Sequence, residues 1–398
     1  MLIHLTSSVR RRWHTLVRLC RNRPKTVLLT LLLLYIFTSY DGRRHVFYAQ
    51  PHAITGYSIE FERDHHLDPA LESEHHGFLP LSEAKKICKA HRWSPYPART
   101  SRRKVYDLIM VNDEMDWLEI RLQTLAAAVD YFVVVESPVT FTGLEKKLVL
   151  QENWDRFKEW HGKIIYKLLD NPPIGAKRTW DYEDFQRNAM FLQTFPAMTG
   201  MQKPEMGDVI LVSDVDEVPR PASVMLLRNC NVGRRVTLRS RFYYYGFQYL
   251  HVGPEWAHPQ ATIFEGLGKG HTILPADLRN GEGGNRLKGW WDKEDIWNAG
   301  WHCSTCFENI SQVLRKMGSF SHTSLNQEIF RDPTRIVDRV RKGSDLWDRK
   351  GEKYDFIRGN EDVPGFLKQD RERWSYLLSR DGGNAGFKDY TEGKLPGE

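Results

Sequence analysis

The sequence predicts an α/β protein, a sheet flanked by helices, and three observations predict it. Apolar runs rich in Val, Ile and Leu recur at Val105–Val111, Tyr131–Val135 and Val209–Val212, the pattern of strands buried on both faces. A helical segment, Trp117–Ala128, separates the first two, giving a β-α-β unit that opens a doubly wound sheet. Each run also ends in polar or acidic residues: Asn112-Asp113-Glu114, Glu136, and Asp214-Val215-Asp216-Glu217. Open α/β sheets bind ligands beyond the carboxyl ends of their strands, so these endings are the first candidates for a site.

The remaining elements follow in order. A helix is expected near Asn153–His161, a strand at Lys163–Leu168, and a helix at Tyr182–Thr194 bearing Gln186, Arg187 and Asn188, which leads into the strand Val209–Ser213. Pro219 and Pro221 are expected to forbid continuation of either strand or helix. Arg239–Tyr249 reads as one aromatic strand, and Gly266–Gly289 as a mobile Gly-rich loop. The chain carries no Gly-x-Gly-x-x-Gly and no Walker loop, so the common dinucleotide and nucleoside-triphosphate folds lack their fingerprint.

At 398 residues, 41% hydrophobic and 12% aromatic, the chain can form one large domain with appendages. The first 25 residues hold seven basic side chains (Arg10, Arg11, Arg12, Arg18, Arg21, Arg23 and Lys25) and no acid; the net charge of +6 less those seven leaves about −1 elsewhere. The excess belongs to a tail, and a nucleic-acid partner for the body has no support. Residues 26–40, uncharged and largely aliphatic, read as a transmembrane signal-anchor behind a cytosolic tail 1–25. They are fewer than the roughly 20 of an ordinary span. Snorkelling of Lys25 and Arg43 in a thin early-secretory membrane makes that tolerable. The basic flank stays cytosolic, which puts 41–398 in the lumen as a single-pass type II protein. A cleaved signal peptide, cut near Tyr48-Ala49-Gln50, would send the body into the same pathway.

Residues 41–103, polar and carrying His65-His66 and His75-His76, read as a luminal stem with a short helix at Leu81–Ala90 capped by Ser82. Residues 104–380 form the expected catalytic domain and 381–398 a C-terminal tail. Cys20 falls on the cytosolic side. Cys88, Cys230, Cys303 and Cys306 remain, an even number suited to disulfides in an oxidising lumen, with connectivity open. Asn309-Ile310-Ser311 is an N-glycosylation sequon.

The chemistry gathers at Asp214 and Asp216. Two residues apart at a strand-to-turn junction, they can converge on one cation, and hard oxygen ligands suit Mn²⁺ or Mg²⁺ carrying a diphosphate. Downstream, Trp290, Trp291 and Trp301 offer the aromatic faces on which a sugar ring stacks, beside Asp292, Glu294 and Asp295. The tyrosines Tyr243–Tyr245 suit a core layer equally well.

Several pieces in one order resemble glycosyltransferase family 17: Val111-Asn112-Asp113-Glu114-Met115-Asp116, Phe132-Val133-Val134-Val135-Glu136-Ser137, Ser213-Asp214-Val215-Asp216-Glu217-Val218-Pro219, Ala299-Gly300-Trp301-His302-Cys303-Ser304-Thr305-Cys306-Phe307, and Ser319-Phe320-Ser321-His322-Thr323. The resemblance covers about residues 104–380. It implies a GT-A fold with a Rossmann-like mixed sheet, a UDP-sugar donor such as UDP-N-acetylglucosamine, a divalent cation, and inverting transfer to a mannose-containing glycan or glycoprotein in the Golgi. The stretch Gly266–Trp297 does not follow the family's bisecting member. On this reading Asp214, Asp216 and His302 hold the metal, with His322 a weaker candidate. Asn112, Glu114, Glu136, Arg187 and Asp214 bind the donor, and Glu217 or Asp295 is the base that activates the acceptor hydroxyl. Two further readings stay open: a haloacid-dehalogenase-like phosphatase with Asp214 as nucleophile, and a luminal sugar-binding module without turnover.

Overall fold

The structure, a computed structural model, describes residues 25, 79–97, 101–172, 179–268, 271–281, 293–319 and 323–391. The chain divides into Met1–Ile54 and Thr55–Glu398. Only Lys25 of the first unit is described, and the architecture is that of the second. The expected anchor 26–40 and the stem as far as residue 78 lie outside the described residues. Among the described residues no helix is long and apolar enough to cross a membrane.

In chain order the helices and strands are α1 Leu81–Ala90, β1 Val105–Val111, α2 Met115–Leu125, β2 Tyr131–Glu136, α3 Val149–Glu152, β3 Ile164–Leu168, α4 Thr179–Leu192, β4 Val209–Asp214, β5 Glu217–Pro219, α5 Pro221–Asn229, β6 Arg235–Tyr244, β7 Gly246–His251, β8 Gln260–Ile263, α6 Pro275–Arg279, β9 Lys293–Ser304, α7 Ile310–Ser319, α8 Pro333–Lys342, β10 Tyr354–Phe356 and α9 Ser375–Leu378. The strands form one mixed sheet. β3, β2, β1 and β4 lie side by side and parallel, and β8 joins β4 antiparallel. β6, β7 and β10 extend that antiparallel half, while β9 runs parallel to β6 and antiparallel to β5.

The continuous apolar runs of the parallel strands are explained by burial on both faces. On one face Val105, Ile109, Phe132 and Val209 pack with Trp117, Leu118 and Leu122 of α2. On the other Tyr106, Leu108, Val133 and Ile210 pack with Ala189, Met190 and Phe191 of α4. All four strands therefore end on one edge, with β1 and β4 adjacent, and the acidic turn stands at that edge.

Four local expectations are corrected. The helix expected over 153–161 is α3 followed by a 3-10 turn Trp154–Trp160. Asn153 stands between them with its side-chain amide donating to the Val149 carbonyl, which ends the first helix early. Pro219 continues β5 and Pro221 opens α5 at its first position, where the missing N–H costs nothing. The aromatic stretch is two strands, broken at Tyr245, whose φ is 65°. The Gly-rich stretch carries α6, seated through the buried Ile273 and Leu278; residues 269–270 and 282–292 lie outside the described residues.

The ends also differ from the expectation. α1 is preceded by Pro80, not capped by Ser82. It buries Ile87 and Cys88 in the main core and is tied to the end of α5 by a Cys88–Cys230 disulfide that spans 142 residues. Residues 79–97 are thus packed on the body rather than part of a free stem. The second pair is Cys303–Cys306. In the stretch read as a tail, Ala385 and Phe387 are fully buried, and Asp389 accepts from the first amides of α7.

Candidate active site

The acidic turn is fixed from behind by a buried arginine. Arg121 of α2 is fully buried and pairs with Asp107, in the middle of β1, at 2.6 and 2.7 Å. Its remaining N–H groups donate to the Glu217 carbonyl at 2.7 Å, the Asp214 carbonyl at 3.3 Å and Ser213 Oγ. Two backbone carbonyls of the turn are thereby satisfied inside the protein. From the other side Gly300 lets β9 pass against β5: a Cβ there would lie 2.7 Å from the Val218 carbonyl. That close approach sets His302 opposite Glu217.

In front of the turn lies a cavity of about 360 Å³. Among the described residues, four carboxylates (Glu114, Glu183, Asp214, Asp216) and four cations (Lys146, Arg187, Arg279, Lys316) line it. Asp214 has one oxygen 3.0 Å from Arg187 and the other 2.7 Å from Arg279. Burial pushes its acidity down, yet Arg279 and Arg187 outweigh that and hold the carboxyl well below the usual range. Arg187 also donates to Glu183 at 2.6 Å. Arg279 grips Glu217 with two N–H groups at 2.5 and 2.7 Å. Glu217 accepts further from Trp256 Nε1 at 2.7 Å and the Asp214 amide at 3.0 Å. Burial alone would raise its pKa; Arg279 brings it down to about 2.

Asp216 faces a different set. Lys316 of α7 donates to its Oδ2 at 3.1 Å, and its backbone carbonyl accepts from Cys303. His302 places Nδ1 3.8 Å from Asp216 Oδ1, and that nitrogen is buried with no hydrogen-bond partner among the described residues. Phe242 and Trp256 fix the imidazole by stacking, with ring centroids at 5.0 and 4.9 Å. Glu114 accepts from the amides of Asn112 and Asp113 at 3.1 and 3.2 Å. Burial first, then the Asp113 charge, raise it to about 7 against the pull of Lys316.

The structure therefore brings together at the cavity Asn112, Glu114, Arg187, Asp214, Asp216 and His302. The others fall elsewhere. Glu136 is fully buried and accepts from the amides of Leu150 and Gln151 and from Tyr166, so it caps α3 instead of binding a donor. Glu217, buried with its carboxylate occupied, braces the turn and does not stand as a base. Asp295 pairs with Arg239 at 2.8 Å on the far end of β9, away from the cavity. Trp301 is buried, donates to Asp362 and carries Arg220 over its ring, so it is a packing residue. Trp290, Trp291 and His322 lie outside the described residues. Among the described residues the tryptophans at the cavity are Trp180, Trp256 and Trp347.

As for a metal, no three of His, Cys, Asp and Glu converge on one point among the described residues. Each oxygen of Asp214 accepts from one arginine, and its side chain stays 40% exposed at the cavity. Asp216 Oδ1 and the orphaned His302 Nδ1 do fit a hard or borderline divalent ion. Such an ion is commonly bound by one or two protein groups and completed by water and phosphate oxygens.

A strand-end cavity in a mixed, helix-flanked sheet, lined by acids and cations, stands where open α/β sheets bind their ligands. The chain belongs to glycosyltransferase family 17, whose sequence model matches residues 21–270 and 293–383. It is 27% identical over 299 residues to a beta-1,4-mannosyl-glycoprotein 4-beta-N-acetylglucosaminyltransferase of Homo sapiens, covering 69% of this chain and 55% of that protein. The relative of the same name in Rattus norvegicus is also 27% identical, with 69% and 54% covered. The chain thus spans about half the length of the curated relatives it matches. A solved mannosyltransferase from Pyrobaculum calidifontis, in complex with GDP-Man and Mn²⁺, aligns over 72% of this chain and 76% of its own at 13% identity. Its TM-score is 0.30, which carries no argument about the site.

Proposed function

We propose that the chain transfers N-acetylglucosamine from UDP-N-acetylglucosamine, with inversion, to a mannose-containing glycan acceptor, and that it uses Mn²⁺ or Mg²⁺. The observation that carries the reading is the cavity at the ends of β1 and β4, which holds Asp216 and His302 beside Arg187 and Lys316. A nucleotide sugar brings about two negative charges into a site that already holds several carboxylates, and a divalent cation would offset them. When bound, the cation supplies Lewis-acid stabilisation of the departing diphosphate. Arg187 presents a planar fork suited to phosphate oxygens. Lys316, released from Asp216, can do the same as a point charge. Asn112 and the end of β1 face the nucleoside.

Glu114 takes the role of base in this reading. It is held by backbone amides, whereas Glu183, Asp214 and Asp216 are each held by a charged side chain. A carboxylate with pKa about 7 is also well matched to proton abstraction at neutral pH. The basic tail 1–25, the apolar stretch 26–40, the two disulfides and the sequon at Asn309 support a Golgi protein of type II topology with the body in the lumen.

The test is UDP release from a panel of UDP- and GDP-sugars, with Mn²⁺, with EDTA, and with and without mannose-terminated glycans. Metal-dependent release from UDP-N-acetylglucosamine that rises with acceptor supports the proposal. Turnover of a different sugar nucleotide withdraws the donor, and neither turnover nor calorimetric binding of any donor withdraws the enzyme.

A further inference from the structure

One wall of the cavity carries a hydrogen-bond acceptor that the proposed chemistry leaves unused. His258 lines the cavity just ahead of β8. β8 runs antiparallel to β4 with Gln260 opposite Val212, so His258, two residues earlier, stands at the same sheet edge as Asp214. Its imidazole is held on two sides. Trp256 meets the ring in a T-shaped contact with centroids 5.3 Å apart, and Nδ1 lies 2.7 Å from Gln260 Oε1. Gln260 is buried, and its amide nitrogen donates to the Ala257 carbonyl at 2.6 Å. A carbonyl only accepts, so Oε1 is the amide atom turned to the imidazole, and Nδ1 carries the proton. Burial first, then the Arg279 charge, lower the pKa of the imidazole to about 4, so the ring is uncharged at neutral pH. Nε2 is then an acceptor alone. It has no hydrogen-bond partner among the described residues, and it is not sealed away from solvent.

We infer that His258 Nε2 accepts a hydrogen bond from a hydroxyl of the sugar being transferred, which makes His258 a donor-specificity residue. The inference rests on the sugar-nucleotide part of the proposed function. Strand order supplies the direction. β4 lies between β1 and β8, so Asn112, the acidic turn and His258 follow one another along the edge. A sugar nucleotide with its nucleoside at Asn112 and its diphosphate at Arg187 carries its sugar onward, toward His258. A neutral imidazole fixed through its other nitrogen to an amide orients a hydroxyl without taking its proton, a role distinct from that of Glu114. The ring is locked by Gln260, so a donor lacking the hydroxyl leaves Nε2 unpaired, and discrimination follows.

The experiment measures kcat/KM of the full chain for the sugar nucleotide that it turns over and for the forms of that donor deoxygenated at C3, C4 and C6. The unaltered chain is expected to use one deoxy donor about tenfold less well. His258→Leu should lose about tenfold with the natural donor and treat natural and deoxy donors alike within about twofold. His258→Gln, which keeps an acceptor oxygen near the place of Nε2, should restore most of the discrimination. A role in packing alone would lower every donor together and keep the ratio, so an unchanged ratio in His258→Leu overturns the inference, as does an unaltered chain that tolerates all three deoxy donors. A discrimination lost instead against deoxygenated acceptor glycans overturns it too, because it sets His258 against the acceptor. If His258→Leu fails to fold, Gln260→Met decides: it frees the proton to move to Nε2, and discrimination equal to that of the unaltered chain overturns the inference. In each of these cases UDP release by the unaltered chain persists. An unaltered chain that turns over no sugar nucleotide overturns the inference together with the proposed function.

Discussion

Arg121 and Arg279 hold the same short turn from opposite sides, by different means. Arg121 stands behind it, buried, and spends its N–H groups on Asp107 and on backbone carbonyls. Arg279 stands in front, at the cavity wall, and spends its own on the carboxylates of Asp214 and Glu217. The rear cluster fixes the backbone of the turn, and its charges meet no ligand. The front cluster fixes charge, and whatever enters the cavity meets it. A buried ion pair with satisfied partners is costly to break and indifferent to solvent, whereas a pair at a cavity wall can be retuned.

The largest expected effect breaks the rear side. Arg121→Met leaves Asp107 charged and unpaired in the core and frees two turn carbonyls, so stability should fall by about 3–5 kcal/mol. Chemical denaturation reads this as a lower midpoint. A midpoint that stays put would mean that the rear cluster does not hold the fold. Next comes Asp216→Asn, which touches only the front. Transfer should drop by about 10²–10³-fold while the unfolding midpoint moves little, and the two readouts together separate the regions.

Glu114→Gln sharpens the comparison, because it separates activity from stability at one residue. As base, Glu114 must be ionised, so the activity of the unaltered chain should rise with pH through about 7. The variant should lose about 10²-fold in kcat and lose that inflection. Stability runs the other way. Folding raises this carboxyl from 4.5 to about 7, so the folded state is penalised progressively as pH climbs across that window, and the penalty persists above it. Gln carries no such penalty, and the variant should be more stable than the unaltered chain at pH 8 and equal to it near pH 4. A pH–rate profile with the inflection intact in Glu114→Gln removes Glu114 from the base role.

What could be read in the sequence follows the same front and rear division. The parallel strands were legible because strands buried on both faces have no polar face to interrupt the apolar run, and β1 ends at Val111 as expected. Asp214, Asp216 and Arg187 were legible because a strand's end and the preceding helix are local. The signal for the rear cluster was there too: an acid inside an apolar run, Asp107, and an arginine in the facing helix, Arg121, each costly to bury unless paired. Arg279, Lys316 and the cavity tryptophans carried no such local mark. They reach the site from α4, α6, α7 and long connections, 65 residues away from Asp214 for Arg279 and 100 from Asp216 for Lys316. Only the tertiary fold brings them in. The same blindness misplaced Trp301 and Asp295, whose partners Asp362 and Arg239 are 61 and 56 residues away.

The smallest expected effect lies at the front and tests where the acceptor enters. Trp180 of α4 lines the cavity with 44% of its surface exposed, whereas Asp216 and Arg187 are buried. A diphosphate must reach those charges, so a donor fills the inner part first and the acceptor sugar meets the exposed indole at the mouth. An apolar sugar face on an indole is worth about 1–1.5 kcal/mol. Trp180→Ala should therefore raise the acceptor KM by about tenfold while leaving the donor KM, kcat and unfolding midpoint near their original values. A donor KM that rises instead would place the uracil, not the acceptor, on Trp180, and would reverse the order in which the two substrates occupy the cavity.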